Sequence, residues 1–189
     1  MDGTFKIDEF EMLLAQIHNE KLKEDVLEIY QEMLSESSFE HVNDVPMIHA
    51  DPTKKNTFLI HHEAVCTEAA WRLAKCVQEA YGVRLNMDFL IAGDLLHDAS
   101  KFLEYWKKDE EVGKTKLGKL LTHSIYAAHK AYEKGMPKEI VHMIMAHTPI
   151  YSVPAANIEA FLAYYTDVLD GELRRNIVGL PVQAKKTVM

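Results

Sequence analysis

Apolar residues recur at intervals of three and four along most of this chain, the spacing that places side chains on one face of an α-helix. Two such patterns fall within residues 8–35, and a third runs over 58–81, where Gly82 marks a helix end. Further helices are predicted for four segments, namely 88–106 with Asp88 as its N-cap, 120–132, 137–147 and 155–175. No stretch alternates as a strand does, and the charged segment 107–118 is predicted to be a loop. The sequence therefore predicts an all-α protein.

The helical pattern lapses over residues 35–57, which read as one long irregular connection. Connections of this length are often functional or disordered, and most surface loops have no specific role, but His49, Lys54 and Lys55 are candidates for bordering a ligand. We expect three parts along the chain: N-terminal helices and a long loop that pack on the core (1–57), a main domain (58–175) and a C-terminal tail (176–189).

Composition narrows the classes of function. The 189 residues suffice for one domain with a sizeable core, and contents of 48% hydrophobic and 26% charged residues are typical of globular proteins. The net charge of −8 argues against a nucleic-acid-binding surface, so an anionic ligand would have to be attracted by a metal ion. Cys66 and Cys76, roughly 15 Å apart along one predicted helix, are too distant for a disulfide. With no apolar run of transmembrane length and no signal-peptide pattern, we expect a cytoplasmic protein without membrane partners.

A polar stripe interrupts the apolar pattern of the predicted helix 88–106. Its members lie at positions i, i+3, i+4 and i+7, which a helix aligns: Asp94, His97, Asp98 and Lys101. A buried carboxylate beside an imidazole is costly unless it is paired or holds a metal ion. Taken alone, however, the His97-Asp98 pair fits a solvated helix end better than a metal site.

Inward-facing polar residues on the other predicted helices favour a metal site over a solvated helix end. They are His62, His123, His147 and Asp167. Steps of three and four residues along the helix from His62 meet apolar residues, so His62 lies on the apolar face. The same steps from His61 meet charged residues. Together with the His97-Asp98 pair, these residues supply four imidazoles and two carboxylates. Such a set suits one or two transition-metal ions, with room for water or substrate.

The order of these residues on successive helices resembles the HD superfamily of metal-dependent phosphohydrolases, an all-helical fold named for its His-Asp doublet. The resemblance covers roughly residues 58–175. It includes Leu96-His97-Asp98-Ala99-Ser100-Lys101, which is similar to the His-Asp-x-x-Lys form of many members. It also includes Tyr164-Tyr165-Thr166-Asp167, where the family places its last aspartate. The resemblance implies an HD-domain helical bundle over 58–175.

Roles for single residues follow from this resemblance. Four residues match the set that binds the first metal ion: His62, His97, Asp98 and Asp167. His123 and His147 match the additional histidines of a dinuclear subgroup, in which Asp98 bridges both ions. Asp98 and Lys101 are the candidate catalytic residues. Lys101 would face the substrate phosphate or the metal-bound water, although a surface lysine fits its position equally well. His61 is a candidate for substrate binding and an alternative to His62 as ligand, but helical phase favours His62.

The implied activity is hydrolysis of a phosphate ester or phosphoanhydride, an EC 3.1 type of reaction, by a metal-activated water. The substrate would be a nucleotide or another small phosphorylated molecule, and the cofactor one or two divalent ions, among which Fe, Mn, Zn, Ni and Co are not distinguished. Two alternatives remain: a mixed-valence di-iron oxygenase with the same six ligands, and a non-catalytic sensor that keeps only the fold. The sequence also leaves a homodimer open.

Overall fold

Helices dominate the structure, a computed structural model that describes residues 5–48, 58–148 and 153–181. The helices are α1 (Glu11–Leu14), α2 (Glu20–Glu36), α3 (Leu59–Tyr81), α4 (Met87–Leu96), α5 (Lys101–Glu104), α6 (Lys116–Leu120), α7 (His123–Glu133), α8 (Lys138–Ala146) and α9 (Ile158–Ile177). Two short strands, β1 (Tyr105–Lys108) and β2 (Glu111–Lys114), form a hairpin. This content confirms the all-α prediction. The candidates His49, Lys54 and Lys55 lie outside the described residues.

The longest described helix, α3, packs against both α4 and α9. Its buried stripe includes the small residues Cys66, Ala70 and Ala74, which allow neighbouring helices to approach closely. Gly82 ends the helix with a φ of 66°, a left-handed conformation that glycine adopts without steric cost. The helix predicted over 58–81 is therefore confirmed. In the part of the chain that the structure describes, no helix has the length and apolar character needed to cross a membrane.

The N-terminal helices pack on the same core as the rest of the chain. The ring of Tyr30, on α2, makes edge contacts with Phe10 and Phe102, at centroid distances of 5.2 and 5.8 Å. Its hydroxyl donates a hydrogen bond of 2.6 Å to the carbonyl oxygen of Leu95. Because Leu95 lies two residues before His97, α2 supports the segment that carries the His-Asp doublet.

The helix predicted over 88–106 is wrong at both ends. Its N-cap is Asn86, whose side chain accepts the backbone N–H of Phe89 at 3.1 Å, and not Asp88. At the other end α4 stops at Leu96, and the hydrogen bonds of the next residues tighten to three-residue steps, such as Lys101 N to Asp98 O at 2.9 Å. The doublet thus lies in a turn between α4 and α5.

The segment predicted as a charged loop contains the hairpin. Tyr105 pairs with Lys114 and Lys108 with Glu111, and Asp109 makes the turn with a φ of 53°. The indole N–H of Trp106 donates to Lys114 O at 3.2 Å, and its ring lies so close to Gly113 that a β-carbon there would approach within 2.6 Å. This cross-strand packing stabilises extended backbone in a sequence that has no clear alternation.

A close helix contact brings α8 to the doublet. Gly93 on α4 faces the buried Met143 on α8, and a β-carbon at Gly93 would lie 2.1 Å from Met143 Cε. Because glycine leaves this space free, the C-terminal end of α8 lies beside the turn that follows α4. His147 caps α8 at that end.

Candidate metal centre

Buried polar side chains meet where the ends of several helices converge. The contributing elements are α3, the turn between α4 and α5, the first residue of α7, the residue after α8, and α9. All six residues predicted as metal ligands belong to this cluster: His62, His97, Asp98, His123, His147 and Asp167. Their side chains range from fully buried at His62 and His97 to 23% exposed at His123.

One half of the cluster forms around the imidazole of His62. Its Nε2 atom lies 3.2 Å from Asp167 Oδ1 and 3.3 Å from His97 Nε2. Asp98 Oδ2 approaches the same two imidazoles, at 3.5 Å from His62 Nε2 and 3.8 Å from His97 Nε2. Four side chains therefore direct nitrogen and oxygen atoms into one small space.

The other half forms around the second oxygen of Asp98. This atom, Oδ1, lies 3.2 Å from His123 Nε2 and 3.5 Å from His147 Nε2. The carboxylate of Asp98 is therefore shared: one oxygen faces His62 and His97, and the other faces His123 and His147.

The hydrogen bonding of the cluster fits bound cations. Asp98 Oδ1 and His147 Nε2 are buried and have no hydrogen-bond partner among the described residues. An unpaired buried polar atom costs about 1–3 kcal/mol, a cost that coordination to a cation would remove. Potential ligand atoms lie within 4.8 Å of one another in two groups: His62, Cys66, His97 and Asp167, and His97, Asp98 and His147. The residues present thus fit metal ions at this position.

Each histidine of the cluster uses its Nδ1 atom for a contact outside the shared space. The partners are Asp170 Oδ2 for His62 (2.6 Å), Asp94 O for His97 (2.6 Å), Glu104 Oε2 for His123 (3.1 Å) and Ile144 O for His147 (2.6 Å). A proton held at Nδ1 leaves the Nε2 lone pair directed into the cluster. This arrangement is typical of metal-binding histidines.

Electrostatics distinguish the buried imidazoles. Burial alone would lower the pKa of His62, but the Cys66 sulfur and the surrounding carboxylates raise it well above the usual histidine range. Burial is likewise outweighed at His97, where Glu63 raises the pKa. At His147 burial prevails and lowers the pKa, which keeps this imidazole neutral. Neutral His147 can bind a cation directly, whereas His62 and His97 would release protons on doing so.

Lys101 is buried and does not lie on the surface. Its Nζ atom forms an ion pair with Asp98 Oδ2. Burial opposes the charge on both groups, but their attraction is stronger: it raises the pKa of Lys101 and, together with His123, holds the pKa of Asp98 well below its usual range. The alternative of a surface lysine therefore does not apply.

His61 lies outside the cluster. Its side chain is half exposed, its ring contacts Phe58, and its Nε2 atom lies 3.5 Å from Glu9 Oε1. The prediction from helical phase, that His62 and not its neighbour faces inward, is confirmed.

Sequence analysis gave no role to several residues that contact these histidines, among them Glu63, Glu104 and Cys66. Glu63 is fully buried, with one oxygen 3.0 Å from His97 Nδ1 and the other accepting the N–H of Asp98 at 3.1 Å. Glu104 contacts His123, and Cys66 Sγ lies 3.4 Å from His62 Nδ1. Burial raises the pKa of Cys66 to about 11, which favours the neutral thiol. A signal existed for Glu63, because it shares its helical face with Ala70 and Ala74.

These observations define a class: an all-α protein whose helices converge on histidines and aspartates able to hold metal ions. The sequence is similar to the dihydroneopterin 2′,3′-cyclic phosphate phosphodiesterase of Methanocaldococcus jannaschii, with 32% identity over 116 residues. That match covers 61% of this chain and 47% of the relative, so the chain spans about half the length of the curated relative it matches. Neither a protein-family model nor a solved structure matches the sequence.

Proposed function

We propose that this protein is an HD-type metal-dependent phosphohydrolase that cleaves a phosphate ester of a small molecule. The observation that carries the proposal is the shared carboxylate of Asp98, which stands between two imidazoles on each side. Similarity to a phosphodiesterase supports hydrolysis of phosphate esters. The order His62, His97-Asp98, His123, His147, Asp167 supports the HD type.

The cluster divides naturally into two sets of ligands. His62, His97 and Asp167 would hold one ion, and His123 with His147 a second, with Asp98 as the ligand common to both. Ions held by these residues would supply an acidified water molecule as the nucleophile and would withdraw charge from the phosphoryl oxygens.

The chain's own groups prepare this site in three ways. The Nδ1 contacts fix the orientation of the four imidazoles, so that no reorganisation is needed when substrate binds. Asp98 stays ionised because Lys101 and His123 lower its pKa. Lys101 stays protonated, so it can stabilise negative charge near the phosphate but cannot serve as a general base. We therefore assign Lys101 an electrostatic role.

Metal content tests the proposal. Protein purified without chelator is expected to contain about two transition-metal ions per chain, about one in His123→Ala and none in Asp98→Ala. His129→Ala is the matched control, because this exposed histidine lies on α7 outside the cluster. Absence of bound metal, together with no uptake on titration, would contradict the proposal and favour the non-catalytic sensor.

A second measurement separates hydrolysis from oxidation. The metal-loaded protein is expected to release p-nitrophenol from bis(p-nitrophenyl) phosphate without consuming oxygen. The same release with a redox-inert ion such as Zn²⁺ would support hydrolysis. Oxygen consumption that requires iron, with no ester cleavage, would favour the di-iron oxygenase instead.

A further inference from the structure

A cleft of about 600 Å³ opens beside the metal centre. Its lining comes from the segment between α5 and α7 and from Thr148: Glu104, Lys114, Gly118, Lys119, Leu120, Leu121, Thr122, His123, Ile125 and Thr148. This volume lies within the range of about 300–1,000 Å³ that is typical of small-molecule sites. His123 is the member of the cluster that borders the cleft.

Among the six candidate ligands, His123 has the most exposed side chain, followed by Asp167 at 16%. The His123 side chain is 23% exposed, whereas the other three imidazoles are at most 1% exposed. A substrate that reaches the shared space from the cleft would pass His123 first. Whatever group is attached to the phosphate would then remain in the cleft.

Several side chains in the wall of the cleft are apolar although they are exposed to solvent. Leu120, Leu121 and Ile125 are 71%, 38% and 42% exposed. Their position beside a polar centre is typical of ligand sites, in which an apolar surface holds the body of the ligand and a few polar groups orient it.

One cation of the cleft is free to meet an anion. Lys119 is exposed and forms no ion pair within the described residues. Lys114, in contrast, is held by Glu104 at 2.7 Å. Among the described residues, the cleft thus pairs an apolar surface with the uncommitted positive charge of Lys119.

Glu104 fixes this wall to the metal centre. One of its oxygens contacts Lys114, the other contacts His123 at 3.1 Å, and its carbonyl accepts the N–H of Thr115 at 2.9 Å. Gly118 packs so closely that a β-carbon there would lie 2.4 Å from the Glu104 carbonyl oxygen. These contacts hold the wall of the cleft in a defined position beside His123.

We propose that this cleft is a substrate subsite that accepts an apolar group, such as an aromatic or heteroaromatic ring, attached to the phosphate. The ring lies against Leu120 and Ile125, the phosphate faces His123, and Lys119 attracts the negative charge. This assignment rests on the proposed function for the position of the phosphate.

Binding of two phosphonates tests the subsite. Phenylphosphonate and methylphosphonate carry the same anionic group, cannot be hydrolysed at the carbon–phosphorus bond, and differ only in the ring. By isothermal titration of the protein with the metal it retains on purification, phenylphosphonate is expected to bind at least about tenfold more tightly. In the double variant Leu120→Ser/Ile125→Ser the ratio is expected to fall close to one, with the affinity for methylphosphonate unchanged.

Two controls complete the design. Leu169→Ser alters a comparably exposed leucine on α9, outside the cleft, and is expected to preserve the ratio. Lys119→Gln is expected to weaken both phosphonates by a similar factor. Equal binding of the two phosphonates to the unmodified protein, or a ratio that survives the double variant, would overturn the inference.

Ester hydrolysis is measured separately, so the two proposals fail independently. A ring preference that depends on Leu120 and Ile125, in a protein that cleaves no ester, would support the subsite and contradict the hydrolase. Ester cleavage without a ring preference would support the hydrolase and contradict the subsite.

Discussion

Asp170 controls the orientation of His62 without belonging to the proposed ligands. Its Oδ2 atom lies 2.6 Å from His62 Nδ1 and also accepts from Arg174. A carboxylate in this position raises the basicity of the imidazole and fixes the tautomer whose Nε2 atom faces the cluster. Similar contacts of Glu63 with His97 and of Glu104 with His123 indicate that acidic partners are a general feature of this site.

Replacement of Asp170 tests this role. Asp170→Asn is expected to lower the metal affinity about tenfold to a hundredfold, because the amide carries no charge to support the imidazole. The measurement is competition with a chelator of known affinity. Asp109→Asn, the same change at an exposed hairpin turn, is expected to have no effect. Equal losses in the two variants would indicate a general charge effect and contradict the prediction.

Asp88 contributes a pH-dependent part of the stability. Its carboxylate accepts the backbone N–H groups of His18 and Asn19 at 3.1 and 2.9 Å. Partial burial alone would raise the pKa of Asp88, but these hydrogen bonds lower it below the usual range. Because the folded protein holds the proton less tightly than the unfolded chain, this stabilisation is present above pH ~4 and is lost as the pH falls through the folded pKa.

We therefore expect Asp88→Asn to lower the free energy of unfolding by about 0.5–1.5 kcal/mol at pH 7. Near pH 2.5 the difference should disappear, since a protonated carboxyl and an amide offer similar acceptors. Urea unfolding at both pH values measures this, with Glu110→Gln at the exposed turn as control. A difference independent of pH would show that the charge of Asp88 is not the cause.

At the scale of elements, the junction of α5 and α6 depends on Gly118. A β-carbon at this position would approach Glu104 O within 2.4 Å and Glu104 Cα within 2.8 Å, and backbone atoms cannot move aside easily. Gly118→Ala is thus expected to displace α6 and to cost about 1–3 kcal/mol of unfolding free energy.

Gly171 is a helical glycine with free space around it, in contrast to Gly118. It lies within α9, and a β-carbon there would meet nothing closer than Met47 Cε at 3.8 Å. Gly171→Ala is therefore expected to stabilise the protein by about 0.5–1 kcal/mol through helix propensity. Chemical denaturation of both variants would decide the matter: a change of the same sign in both would contradict the packing argument.

At the scale of the molecule, helical periodicity is the strongest predictor of the site. A period of 3.6 residues determines which positions face inward, so it separates His62 from His61 and assigns His123, His147 and Asp167 to inner faces of their helices. Those residues do lie together around Asp98. The resemblance adds the roles of the residues, which periodicity cannot supply.

Features that depend on distances between elements are not predictable in this way. Helical phase places Glu63 on an inner face, and Asp170 follows Asp167 by three residues, but their contacts with particular histidines, like that of Glu104 with His123, depend on how closely the helices approach, which the local pattern does not encode. The hairpin gives no signal in the sequence because its strands are held by Trp106 packing on Gly113 across the pair and not by alternation along the chain. The break after Leu96 likewise depends on tertiary packing.

The hairpin also bears on how this protein can change during evolution. Its first and last residues, Tyr105 and Lys114, lie opposite each other, and the turn at Asp109 is remote from Glu104. Residues added at that turn would lengthen the strands without altering the distance between Glu104 and His123. The hairpin can therefore lengthen by insertion while Glu104 keeps its contact with His123, so homologous chains of unequal length at this point would differ in the reach of the hairpin and not in the arrangement of the buried histidines.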